Sequence, residues 1–122
     1  APGNPDQIAG VLDFGDMVYT PLICDAAIAA SYQIDPAAPL ESLQVFARAY
    51  HAVLPITALE ARLFPALVAT RMLTTLAIAY TRAARYPENA AYILRNVPTA
   101  RDGLLALERL DPATTRTAME AL

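Results

Sequence analysis

Prolines are the strongest constraint on what this chain can fold into. Pro21, Pro36, Pro39, Pro55, Pro87 and Pro112 stand between runs of helical spacing. A proline lacks the N–H that an inner helical turn needs, yet it fits the first turn without loss. The chain is therefore cut into segments whose starts are pinned. Thr20-Pro21 places a hydroxyl at a cap and proline at the first helical position, which predicts a helix from Pro21 to Gln33. Its Leu22, Ile23, Ala26, Ala27, Ile28, Ala29 and Ala30 are apolar nearly all round, the mark of a central, buried helix. Asp35-Pro36 and Pro39 break that pattern. A second helix from Pro39 to Val53 shows Leu40, Leu43, Phe46, Ala47, Tyr50 and Leu54 at helical spacing, and Pro55 ends it.

Thr57 with Glu60 three residues on forms a capping box, and it opens the longest periodic segment, Ala58 to Arg85. Leu59, Leu63, Leu67, Thr70, Leu73, Ala77 and Tyr80 make its apolar stripe, widened by Val68 and Leu76. Pro65 lies inside and is expected to kink the helix or split off its first turn. Glu88 to Asn96, Ala100 to Leu110 capped by Thr99, and a last helix opened by Asp111-Pro112 and running to Leu122 complete the helical set. Ahead of it, Gln7 to Phe14 is short, apolar and bounded by turn residues, which predicts a strand. One strand cannot satisfy its own N–H and C=O groups, and no second strand follows. The expected fold is mainly α, with one N-terminal strand and about six helices: residues 1–19 form a strand and loop, and residues 20–122 a helical subdomain.

Composition narrows the function classes. The 122 residues form one domain at most and include 26 alanines, nine arginines and no lysine, with a net charge of −3. The arginines are spread singly from Arg48 to Arg116, so no basic stripe meets the phosphates of a nucleic acid. A single cysteine, Cys24, rules out an internal disulfide, and with a single histidine, His51, it cannot build a Cys/His zinc site. Ser31 and Ser42 are the only serines, neither in a nucleophile-elbow setting. Asp25, Glu41, Arg48, Glu60, Arg62, Arg71 and Arg82 are expected to keep every apolar run below membrane-span length. The first residues show neither a basic region nor an apolar core of a secretory signal, so a reducing, cytoplasmic setting is expected.

Chemistry concentrates in Gly10-Val-Leu-Asp-Phe-Gly-Asp16. The apolar run delivers Asp13 at its end, Phe14 is expected to pack back toward the core, and Gly15 to permit a sharp turn. A carboxylate so placed suits Mg²⁺, which takes oxygen ligands and needs only one or two from protein beside nucleotide phosphates. Asp13 is the first candidate ligand, and Asp16 a second, direct or through water. The polar-turn reading of both residues stands beside this one.

The stretch Val11-Leu-Asp-Phe-Gly-Asp-Met-Val-Tyr-Thr-Pro-Leu-Ile-Cys-Asp-Ala-Ala27 resembles the family of aminoglycoside phosphotransferases, choline kinases and hydroxylysine kinases. In that family a strand ends in Ile-Asp-Phe-Gly-Asp or a close variant, followed by a loop, a proline and an Asp-Leu-Ala helix. Ala26 stands where leucine is frequent. The later Arg85-Tyr-Pro-Glu-Asn-Ala-Ala-Tyr-Ile-Leu94 looks like a late helix of the hydroxylysine-kinase-like members. The resemblance implies a kinase-like large lobe of which this chain is the helical C-terminal part. It implies Asp13 as magnesium ligand, Asp25 as a support hydrogen-bonded to the catalytic-loop backbone, and ATP and a small-molecule acceptor as partners. The reaction implied is transfer of the γ-phosphate to a hydroxyl of an amino alcohol or aminoglycoside-like compound.

The family's phosphate-contacting lysine and its His-x-Asp-x-x-x-x-Asn loop are absent from this sequence, since there is no lysine and His51 is followed by Ala52 and Val53. No catalytic residue is therefore expected within the chain, and the isolated chain is expected to be inactive. The missing ladder partner is expected just ahead of Ala1, across a hairpin turn at residues 1 to 6. Two other readings remain open. The chain could be a non-catalytic helical interaction module whose unpaired strand docks a partner or a second copy. It could also be the phosphotransferase-like region of a protein named for another activity, such as an aminotransferase. Among single residues, Cys24 is expected to be a small buried hydrophobe and His51 a boundary residue. Asp25 is equally readable as a helix-dipole partner, and Tyr80 and Arg71 are candidates for an acceptor pocket.

Overall fold

The computed structural model describes residues 3, 4, 7–15 and 17–122. Among the described residues six α-helices follow one another: α1 (Leu22–Ala30), α2 (Pro39–Val53), α3 (Ala58–Arg85), α4 (Ala90–Ile93), α5 (Val97–Glu108) and α6 (Pro112–Glu120). Single 3₁₀ turns, Pro87–Asn89 and Leu94–Asn96, flank the short α4. The long α3 is the spine. It packs against α1, α4, α5 and α6, while α2 lies across α1, α5 and α6.

Where side chains encode a helix start, the structure follows the sequence. Thr57 Oγ1 accepts the Glu60 N–H at 3.3 Å, and the Glu60 carboxylate accepts the Thr57 N–H at 2.8 Å, so α3 opens with both halves of the capping box. Asp111 caps α6 by accepting the Thr114 N–H at 2.7 Å. Thr20 does not cap α1. Pro21 itself is the cap residue, no side chain bonds the exposed N–H groups, and the helix ends at Ala30. Thr99 lies inside α5, which starts two residues earlier with Pro98 in its first turn. α3 runs unbroken through Pro65, so its first turn is not split off. The ring removes one hydrogen bond, the one to the Ala61 carbonyl four residues back.

The expected strand is absent: no strand forms among the described residues. Gln7 to Phe14 runs without bridges, and Ile8, Val11, Leu12 and Phe14 are exposed. The physical reason is the one its sequence anticipates, a ladder with no second backbone. Phe14 does not pack back toward the core. An oligomer built on that strand's edge has no strand to rest on.

The core is formed by Leu43 on α2, Phe64, Val68 and Met72 on α3 and Met119 on α6, all almost fully buried. Phe46 stacks on Phe64 with ring centroids 6.2 Å apart and on Tyr50 at 6.5 Å. α1 contributes Ile23, Ala26, Ala27 and Ala30, whose small side chains let it lie close to α3. It is not buried all round, because Leu22, Asp25 and Ile28 face outward and Cys24 is half-buried.

The stripe of α3 is also different from the one expected. Ala61, Phe64, Val68, Met72, Ala79 and Ala83 face the core, whereas Leu59, Leu63, Leu73 and Tyr80 are exposed. α3 is apolar on most of its circumference, so periodicity alone does not single out one face. For the same reason the charges do not hold every run below span length, since α3 is long and apolar enough to cross a membrane by length and composition.

Polar ties fix the connections. Gln44 Nε2 donates to the Ala118 carbonyl at 3.0 Å, joining α2 to α6. His51, at the end of α2, is half-buried, and its Nδ1 accepts the Ile56 N–H at 3.1 Å, which closes the turn into α3. Both buried hydroxyls are satisfied locally, Ser31 on the Ile28 carbonyl and Thr115 on the Asp111 carbonyl.

Candidate functional site

The segment before α1 is extended except at one residue. Asp13 has φ of 68°, the left-handed region, and Gly3 is the only other described residue with positive φ. A non-glycine residue there costs energy, and aspartate is among the few that tolerate it. The backbone thus bends at Asp13 just ahead of the turn expected at Gly15, which is present. A weak turn follows, with the Met17 N–H on the Phe14 carbonyl at 3.2 Å. The Asp13 carboxylate leans over Gly15, 3.7 Å from where a Cβ would stand, and remains open to solvent. Asp16 lies outside the described residues.

Asp25 sits in the first turn of α1, exposed, with no hydrogen-bond partner among the described residues. That placement is consistent with the helix-dipole reading and leaves the carboxylate available to a neighbour. No group of three or more His, Cys, Asp or Glu side chains suited to a metal forms among the described residues. Mg²⁺ does not require one, because one or two carboxylates with phosphates and water complete its shell. Asp13, an exposed oxygen donor, fits that demand.

Two clefts flank α3. A groove of about 640 Å³ lies between the first half of α3, α5 and α6, with Pro65, Ala66, Leu104 and Leu107 as apolar walls and Arg62 and Arg116 at its polar edges. A second cleft of about 370 Å³ lies between the second half of α3 and the segment around α4. Arg71, Thr75 and Arg82 line it from α3, and Tyr92, Arg95 and Asn96 from across. Arg71, singled out from sequence, is there. Tyr80 is not, and it projects to solvent. Arg82 and Arg95 carried no sequence signal, because the fold of residues 86–96 is what brings them beside Arg71.

Comparison with known proteins places the chain in a family. Residues 3–64 match the model of the phosphotransferase enzyme family, APH, and the chain belongs to that family. It is 32% identical to the hydroxylysine kinase of Mus musculus over 105 residues, covering 85% of this chain and 27% of the relative. It is 30% identical to the hydroxylysine kinase of Bos taurus over 94 residues, covering 76% and 25% respectively. The chain thus spans about a quarter of the length of these curated relatives. No solved structure matches it.

Proposed function

We propose that this chain is the helical part of the large lobe of an ATP-dependent small-molecule kinase. That kinase moves the γ-phosphate of ATP to a hydroxyl of an amino alcohol or related acceptor. The observation that carries the reading is Asp13, a left-handed aspartate at the end of an apolar segment, inside the region matched to the phosphotransferase family. The two relatives are named for hydroxylysine, which supports an acceptor among small hydroxylated amines.

Asp13 would hold Mg²⁺ against the nucleotide phosphates, with Asp16 beside it, and the metal would neutralise charge on the transferring group. Asp25, exposed at the start of α1, would accept hydrogen bonds from the backbone of the loop that carries the catalytic base. The base and the phosphate-contacting lysine would come from outside these 122 residues, since the sequence has neither a lysine nor a His-x-Asp. On this reading the 122-residue chain alone does not turn over ATP.

The test is Asp13→Ala in the intact protein that contains this chain. Loss of a metal ligand worth several kcal/mol lowers kcat by about 100-fold or more, with helical circular dichroism unchanged. Full activity in the variant, or substantial turnover by the 122-residue chain alone, sinks the proposal.

A further inference from the structure

The cleft beside the second half of α3 has a chemistry of its own. Arg71, Thr75, Ile78 and Arg82 follow each other at intervals of four, three and four residues, so they share one face of the helix. Arg95 faces them from the turn after α4. Three of the chain's nine arginines thus converge on one cleft, in a protein whose net charge is −3. No carboxylate lines the cleft, and the only ion pair among the described residues, Arg101 with Asp102, lies elsewhere.

Two details separate this cluster from arginines that merely share a surface. The Arg71 Nε is buried without any hydrogen-bond partner, and it is the only side-chain nitrogen or oxygen in that condition among the described residues. A buried, unpaired guanidinium donor is costly, and its position calls for an acceptor. Arg95 is held in place: its Nη1 donates to the Tyr92 carbonyl at 2.9 Å, and its guanidinium lies 3.8 Å from the Tyr92 ring centroid. A fixed guanidinium keeps most of its donors free and loses little entropy on binding.

We infer that this cleft binds the carboxylate of the acceptor, with Arg71 as the buried donor and Arg82 and Arg95 as flanking charges. The inference rests on the kinase reading for the word acceptor, but its binding chemistry does not. Planar guanidinium forks match the two oxygens of a carboxylate. The walls, Ile78, Ile93 and the two tyrosines Tyr32 and Tyr92, suit a short aliphatic body. A wholly cationic acceptor such as an aminoglycoside finds three like charges there and no acid.

The experiment reads the Arg71 Nε–H resonance by NMR in the 122-residue chain, titrated with 5-hydroxylysine, with the same amino alcohol lacking its carboxylate, and with inorganic phosphate. The expected result is saturable displacement of the Arg71 signal by 5-hydroxylysine, weakened about tenfold or more for the carboxylate-free analogue. In the Arg71 variants, which lack that resonance, the Arg95 Nε–H in the same cleft is followed instead and shows a loss of the same size in Arg71→Gln. Arg71→Lys, which keeps charge but loses the fork, should fall between. Arg116→Gln, in the other groove, should bind normally and verifies that a surface arginine change is neutral. Equal binding of the carboxylate-free analogue, no loss in Arg71→Gln with circular dichroism intact, or tighter binding of phosphate than of 5-hydroxylysine would each overturn the assignment. The kinase reading fails separately, through full activity in Asp13→Ala, and that result leaves the binding data standing.

Discussion

Gly103 of α5 lies against Met72 of the spine, and Gly103→Ala sets two opposed effects against each other. A Cβ added there would lie 2.6 Å from the Met72 Cε, 3.3 Å from its Sδ and 3.7 Å from the Ile34 Cβ. Replacing a glycine inside a helix by alanine is worth about 1 kcal/mol in backbone propensity. Against this, Met72 is only 1% exposed, so its methyl cannot swing into solvent and must repack within a filled core. Overpacking of that kind costs about 1–3 kcal/mol. The net expectation is destabilisation by about 1 kcal/mol, read as a lower urea midpoint at unchanged slope, followed by circular dichroism at 222 nm. The sharper test is the double-mutant cycle. In a Met72→Ala background the contact is gone, so Gly103→Ala should become stabilising by about 1 kcal/mol, although Met72→Ala itself costs about 2–5 kcal/mol. A stabilising Gly103→Ala in the native background, or the same sign in both backgrounds, refutes the packing argument.

Phe64→Ala removes a fully buried ring stacked on Phe46 and should cost about 3–5 kcal/mol by urea unfolding, the largest single loss expected in this core. Asp111→Ala removes the cap of α6 and should cost about 1 kcal/mol, with faster amide exchange confined to Thr114 and its neighbours. Hydrogen bonds from Thr57 and Thr114 hold the Glu60 and Asp111 carboxyls below their ordinary values. Folded values depressed in this way give stability that is present above about pH 4.5 and lost as acid protonates the folded carboxylates, with no contribution to pH dependence between 6 and 9. In Glu60→Gln the part of the acid-unfolding curve due to this carboxylate should disappear; an unchanged pH profile contradicts the capping assignment.

Legibility followed the range of the forces involved. The limits of α2 and α3 were readable because Pro39, Thr57, Glu60 and Pro55 encode them within one turn of chain. Thr20 and Thr99 misled, since a hydroxyl near a proline is a cap only when the backbone extends at that residue, and here Pro21 and Asn96 occupy the cap positions. The strand at Gln7 to Phe14 failed for a nonlocal reason: strand propensity needs a second backbone to become structure. At the site, Asp13 stood out by its sequence setting, but its left-handed backbone did not, because Gly15 was the better local candidate for a turn. Arg71 was legible as a residue on the long helix, while its partners were set by the turn that folds residues 86–96 back along α3.

The misread stripe of α3 and the two clefts have one cause. A helix apolar over most of its circumference supplies packing to several neighbours at once, so no single face announces itself in the sequence. Twenty-eight residues make a rod about 42 Å long. Its first half closes an apolar groove with α5 and α6, and its second half carries the arginine stripe. Arg62 and Arg71 interrupt the apolar surface at the edge of one cleft and inside the other. Arg62, Arg71, Thr75 and Arg82, which weaken α3 as an amphipathic pattern, thus lie in its concave surfaces, and the buried Arg71 Nε is where that placement leaves a donor without a partner among the described residues. A site-seeking reading of such a helix does better to follow its charged exceptions than its hydrophobic period.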